Sequence, residues 1–394
     1  MSLSRRRFLL EGLRVTALVP GTALLGRGRG SVSAGERVLV VVQLTGGNDG
    51  LNTVVPHSQD AYYRLRPTLA LSRSNLHALG GDHGLHPSLK ELTPLHDEGR
   101  LTVVQGVGYP HPDRSHFRSL EIWHCADPEG VHRGTGWLGR MADQIVAAAP
   151  GAMPALHVGD EDLPLALMGR KVSAPSLNDE RSLHLSELPG LEGERTNLLG
   201  EPAGTTGELA FLRAAARNAY DVSQRMERAL ERQRSATYPD LDLARKLRLI
   251  AKLVAGGFDT RIFLVTLGGF DTHARQAALH AALLEELARS LHAFQRDLAA
   301  SGAGERVLTL VFSEFGRRAA ENASRGTDHG AAAPVFLLGG PGNGGLLGSG
   351  PDLDRLSDGD VGFTTDFRAL YTTIERDWMG LEPSSSVQAF DLGG

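Results

Sequence analysis

Val38-Leu39-Val40-Val41-Val42 is apolar at every position, so a strand built from it must be covered on both faces. The same signal returns at Leu101-Thr102-Val103-Val104, Ile262-Phe263-Leu264-Val265, Val307-Leu308-Thr309-Leu310-Val311 and Pro334-Val335-Phe336-Leu337-Leu338. Helical stretches are expected at Gly207–Gln233, Leu241–Ala255, Gln276–Ala300 and Asp366–Met379. The third lines up Leu279, Leu283, Leu287, Leu291, Phe294 and Leu298 on one core-facing stripe. Alternation of this kind predicts an α/β layered fold with a mostly parallel sheet. With 41% apolar residues and 360 positions after Ala34, the chain can bury a sizeable core as one large domain or two. Residues 170–206, rich in Pro, Gly, Ser and charge, read as a long surface excursion, and the helix pair at 207–255 as an inserted cap. The single cysteine, Cys125, forbids an internal disulfide and reads as packing beside Trp123.

Nearly every strand adjoins a polar cluster. The first runs into Gly46-Gly47-Asn48-Asp49-Gly50, and the Leu101 strand into His111-Pro112-Asp113-Arg114-Ser115-His116. The Ile262 strand ends in Phe270-Asp271-Thr272-His273 and the Val307 strand in Ser313-Glu314-Phe315-Gly316-Arg317; Thr327-Asp328-His329 precedes the last strand. Ligands of parallel α/β sheets bind off the carboxyl ends of strands, so these loops are expected to converge. Asp, Glu and His without thiolate suit zinc, manganese, magnesium or calcium. Each cluster also has a bland reading: a glycine turn at 46–50, a helix cap at Asp113 or Ser115, a capping Asp271 with an exposed His273, an ion pair of Glu314 with Arg317, and a plain loop at Asp328-His329. The active-site reading rests on the five occurring together.

The chain opens with Ser4-Arg5-Arg6-Arg7-Phe8-Leu9-Leu10, a twin-arginine pattern. The apolar stretch Leu13–Leu25 is interrupted by Pro20 and Gly21 and is too short to span a bilayer. Val32-Ser33-Ala34 offers small residues for cleavage after Ala34. Residues 1–34 are therefore expected to be a signal peptide, with periplasmic, cell-surface or secreted delivery by the twin-arginine translocase. Six of the 41 basic residues and one of the 46 acidic ones precede residue 35, leaving 35 basic against 45 acidic side chains, a formal charge of −10. Such an acidic chain is a poor partner for nucleic acid or anionic membrane.

Leu44-Thr45-Gly46-Gly47-Asn48-Asp49-Gly50-Leu51-Asn52-Thr53, Ser115-His116-Phe117, Phe270-Asp271-Thr272-His273, Ser313-Glu314-Phe315-Gly316-Arg317, Gly326-Thr327-Asp328-His329-Gly330 and the C-terminal Asp366-Phe367-Arg368 to Asp377-Trp378-Met379-Gly380-Leu381 resemble domain-of-unknown-function family 1501. That family is grouped with the alkaline-phosphatase and sulfatase superfamily. The resemblance implies a three-layer α/β/α sandwich over residues 35–394 and metal-dependent hydrolysis of a small-molecule or polysaccharide phosphate or sulfate ester. It places Ser115 as nucleophile, with His116 beside it among the catalytic residues. Asp49, Asp271, His273, Glu314 and His329 become metal ligands, with Asp328 joining His329 in a rival register. Asn48, Arg114, Arg118 and Arg317 would hold the anionic substrate. Two departures leave one or two ions open: Phe315 stands where the superfamily has a paired histidine, and His273 follows Asp271 by two residues rather than four. The alternative is an exported, non-catalytic metal- or anion-binding protein on the same fold.

Overall fold

All five apolar runs are strands of one sheet in the computed structural model, which describes residues 33–130, 134–172, 174–178, 224–230, 236–340 and 344–392. The twin-arginine segment lies outside the described residues, as do 179–223 and 231–235 of the expected excursion and cap. Of the helix expected at 207–233, the described residues 224–230 are helical.

The strands are β1 (Val38–Leu44), β2 (Val54–Val55), β3 (His77–Gly80), β4 (His83–Leu85), β5 (Leu101–Gly108), β6 (Ala155–Val158), β7 (Ser176–Leu177), β8 (Ile262–Leu267), β9 (Val307–Ser313), β10 (Ala333–Gly339), β11 (Gly345–Leu347) and β12 (Thr365–Asp366). The large sheet is ordered β11-β5-β10-β9-β1-β8-β6-β7, with β12 also on β5, and β2, β3 and β4 form a small separate sheet. β1 lies parallel to both β8 and β9. β10 is antiparallel to both of its neighbours, so its start, rather than its end, meets the edge where β1, β8 and β9 finish.

The helices are α1 (Gly50–Thr53), α2 (Asp60–Leu65), α3 (Thr93–Asp97), α4 (His116–Cys125), α5 (Trp137–Ala148), α6 (Asp242–Ala255), α7 (Gln276–Ala300) and α8 (Phe367–Thr373). Side chains alternate across a strand, and β1 serves two cores. Val38, Val40, Val42 and Leu44 pack with Leu243 and Leu247 of α6 and Leu284, Leu287 and Leu291 of α7. Leu39 and Val41 face the opposite core with Trp123 of α4, Trp137 and Met141 of α5, and Phe367 and Tyr371 of α8. Each fully buried Val or Leu contributes about 1.5–3 kcal/mol. On the second face Trp137 stacks on Tyr371 at 3.8 Å between ring centroids and Trp123 on Phe367 at 4.4 Å. This is the α/β/α sandwich with a mostly parallel sheet that the sequence predicts.

Several bounds differ from the expected ones: β5 and β8 run on to Gly108 and Leu267, and β10 spans Ala333–Gly339. The strands β1 and β9 extend to Leu44 and Ser313 because Gln43 and Ser313, although polar, still pair in register with Phe312 and Leu44. The last helix stops at Thr373 and continues as a π segment over Ile374–Trp378. No helix among the described residues is long and apolar enough to cross a membrane.

Candidate metal centre

Loops from β1, β8 and β9 meet at one edge because these strands are parallel, and the antiparallel β10 brings Thr327-Asp328-His329 to the same edge. Gly46 and Gly47 have φ of 113° and 76°. A Cβ on Gly46 would stand 2.4 Å from the Asp271 backbone nitrogen, and one on Gly47 2.3 Å from the Phe315 ring. Only glycine lets the β1 loop lie this close to its neighbours. Arg317 then clasps the loops. Its Nε donates to Gly47 O at 2.7 Å, Nη1 to Thr327 O at 2.7 Å, and Nη2 to Phe270 O at 2.9 Å, Gly46 O and Asp271 Oδ1. The side chain is fully buried, so it forms the floor of the site.

Above that floor, nitrogen atoms of three histidines surround one carboxylate oxygen. Asp271 Oδ1 lies 3.0 Å from His273 Nε2, 3.0 Å from His329 Nε2 and 3.5 Å from His116 Nε2. The His273 and His329 Nε2 atoms are themselves 3.0 Å apart. Burial works against the Asp271 charge, yet hydrogen bonds from His329 and Arg317 bring its pKa down to about 2.

The other ring nitrogens determine what these atoms present. His329 Nδ1 lies 2.8 Å from the Arg114 backbone oxygen, His116 Nδ1 2.9 Å from Glu314 Oε1, and His273 Nδ1 3.2 Å from Asp328 Oδ1. A carbonyl or carboxylate can only accept, so each Nδ1 can hold its proton there; Asp271 Oδ1 is equally an acceptor for Nε2, so Nε2 is free for an ion only where Nδ1 keeps the ring's single proton. With Nδ1 protonated, three Nε2 lone pairs would face one carboxylate oxygen, an arrangement that a cation among them would hold together; protons on Nε2 do so otherwise. Zinc bonds of about 2.0–2.1 Å place tetrahedral ligand atoms roughly 3.3 Å apart, close to the spacings here. His116, Asp271 and His329 offer ligand atoms within 4.8 Å of one another. The donor set fits a divalent ion. Phe315, buried, lies against His116 and His329 with ring centroids 5.0 and 4.8 Å away, an apolar wall of the kind that tunes a metal site.

The remaining residues singled out in the sequence are placed as follows. Glu314, fully buried, accepts from Gly46 N–H at 2.8 Å, from the Ser313 hydroxyl at 3.1 Å and from His116 Nδ1, and its hydrogen bond raises the His116 pKa. It stands behind His116. Asp328 stands behind His273 in the same way and also accepts from Asn322 Nδ2 at 3.1 Å. Asp49 is paired with Arg66 rather than brought to the histidines. Asn48 is buried, its Oδ1 accepting from Thr53 at 3.0 Å and from His280 Nε2 at 2.9 Å. Arg118 pairs with Glu121 at 2.7 Å. Arg114 is held by Asp360, with Nε to Oδ2 at 2.9 Å, and by Asp358 at 3.0 Å. Ser115 is exposed, precedes α4 and makes no capping hydrogen bond with its side chain. Arg66, Gln276 and Asn322 were not singled out by sequence reasoning. Arg66 sits in Tyr62-Tyr63-Arg64-Leu65-Arg66, which carries no motif.

The fold and this edge define an α/β/α protein with a candidate metal centre off the carboxyl ends of a mostly parallel sheet. The family described as "Protein of unknown function (DUF1501)" matches residues 36–389, and the chain belongs to it. No curated protein matches the sequence. Among solved structures, the chain is similar to the lipoteichoic acid synthase LtaP of Listeria monocytogenes (10% identity, 91% of this chain and 76% of that one, TM-score 0.40). It is similar to the phosphonate monoester hydrolase SpPMH of Silicibacter pomeroyi (11% identity, 90% and 76%, TM-score 0.42). A third is the C-terminal periplasmic domain of EcEptC from Escherichia coli, in complex with Zn (11% identity, 78% and 74%, TM-score 0.34).

Proposed function

We propose that this chain is an exported metal-dependent hydrolase of phosphate or sulfate esters, with the ion held by Asp271, His116, His273 and His329. The observation that carries it is the convergence of the Nε2 atoms of three histidines on Asp271 Oδ1. Three imidazoles favour zinc or manganese over magnesium or calcium, which take oxygen ligands. Such an ion would polarise the ester and ease loss of the Ser115 proton. The chain's own part is to present that hydroxyl at the start of α4, where free backbone N–H groups favour an anionic ester oxygen. Glu314, Asp328 and the Arg114 carbonyl keep the three rings oriented.

An aryl phosphate and aryl sulfate panel with zinc and manganese tests this on wild type and Ser115→Ala. Because Ser115 makes no capping bond, the substitution should cost less than the usual ~1 kcal/mol of a lost cap. Turnover should fall at least about 100-fold while folding is kept. Full activity in the variant would move the attack to water. A second reading, a non-catalytic metal- or anion-binding protein, is favoured by one observation: Arg114, Arg118 and Arg317 are all already engaged. A wild type inert toward every ester with every metal would decide for it. Export through the twin-arginine route predicts that replacing Arg5 and Arg6 by Lys leaves the precursor in the cytoplasm; unchanged periplasmic yield would remove that address.

A further inference from the structure

The carboxylate that follows β1 has a cation of its own. Arg66 Nη1 donates to Asp49 Oδ2 at 2.6 Å, and both side chains are fully buried. Gln276 Nε2 donates to the same oxygen, and the Asn52 N–H donates to Oδ1 at 3.3 Å. Hydrogens thus take both lone pairs of Oδ2 and one of the two on Oδ1, and the charge a metal ion would neutralise is already matched by Arg66. Arg66 is also tied elsewhere, through Nε to Ala319 O at 2.9 Å, Nη2 to Arg318 O at 3.0 Å and Nη1 to Asn52 Oδ1 at 2.9 Å. Swinging it away would strip two carbonyls of their donors.

We infer that Arg66 is the resident cation of Asp49, so the carboxyl edge of the sheet takes one metal ion, at Asp271, and none at Asp49. The ion count rests on the metal reading proposed above. Burial pushes the nearby His280 and His86 to about 4, so both are neutral near pH 7 and Arg66 alone balances the carboxylate. Burial works against the Asp49 charge too, yet Arg66 holds it below the ordinary carboxylate range.

The pair has a second task. Gln276, bonded to Asp49, accepts through Oε1 from Thr272 Oγ1 at 3.1 Å and Thr327 Oγ1 at 2.6 Å. Thr272 lies between Asp271 and His273, and Thr327 directly precedes Asp328-His329. Arg66 and Asp49 therefore brace both ligand loops from behind, as positioning residues rather than ligands.

The test is zinc titration and elemental analysis of the full chain, as wild type and as the double variant Asp49→Asn/Arg66→Met, which removes both charges together. One ion per chain is expected in each, with zinc Kd changed by less than about tenfold, the low end for outer-shell groups, and a lower Tm in the variant. Two ions in the wild type, or a folded double variant that no longer holds zinc, would overturn the assignment. Should the double variant not fold, the wild-type count decides alone. No ion in the wild type would instead overturn the metal reading itself, a result distinct from two.

Discussion

Asp271→Asn is expected to abolish retention of a divalent ion while leaving the fold in place. Asp271 Oδ1 is the atom on which all three histidine Nε2 atoms converge, and the amide removes the only carboxylate charge in that set. Loss of an outer-shell group costs roughly 10–100-fold in metal affinity; loss of the central ligand should cost more than about 100-fold. The fold should survive because the side chain is half exposed and Arg317 keeps its four carbonyl acceptors. Competition titration with a zinc chelator reads the affinity, and circular dichroism the fold. Zinc binding within a few-fold of wild type would show that the histidine cluster is not the metal centre.

Arg317→Met should produce the largest loss of stability of any change at the site. Methionine fills much of the same volume but supplies none of the N–H groups that reach Gly46, Gly47, Phe270 and Thr327. Leaving a buried acceptor unpaired costs about 1–3 kcal/mol, and four are left; the lost ion pair adds little, because Asp271 is half exposed. Repacking and entering water recover part of this, so a loss of roughly 4 kcal/mol or more is expected, against a total of about 5–15 for a typical domain. Urea unfolding of metal-free protein gives the number directly. A loss below about 1 kcal/mol would mean that the three loops hold together without the clasp.

Much of this was legible in the chain before it folded. The runs from Val38, Leu101, Ile262, Val307 and Pro334 are strands, because side chains that are nearly all apolar leave no face for water. The helix has the expected bounds, Gln276–Ala300, and Leu287, Leu291, Phe294 and Leu298 face the core as expected, whereas Leu283 is half-buried and Leu279, in the first turn, is exposed. The polar clusters at strand ends locate the edge where Asp271, His116, His273 and His329 meet, since parallel strands must finish together. What the sequence could not decide was the division of labour among those residues. Whether a carboxylate faces a histidine cluster or an arginine depends on packing between segments far apart in the chain. Asp49 meets Arg66 and Glu314 meets His116 only once the sheet has been assembled. The direction of β10, which alone brings His329 to the site, is a property of its neighbours β5 and β9. His329 Nδ1 meets the backbone oxygen of Arg114, and every residue has such a carbonyl, so no side-chain pattern could announce it. Local physics specified the strands, the long helix and the edge; distances across loops, which exist only in the folded chain, decided which groups meet at the candidate metal centre and which stand behind them.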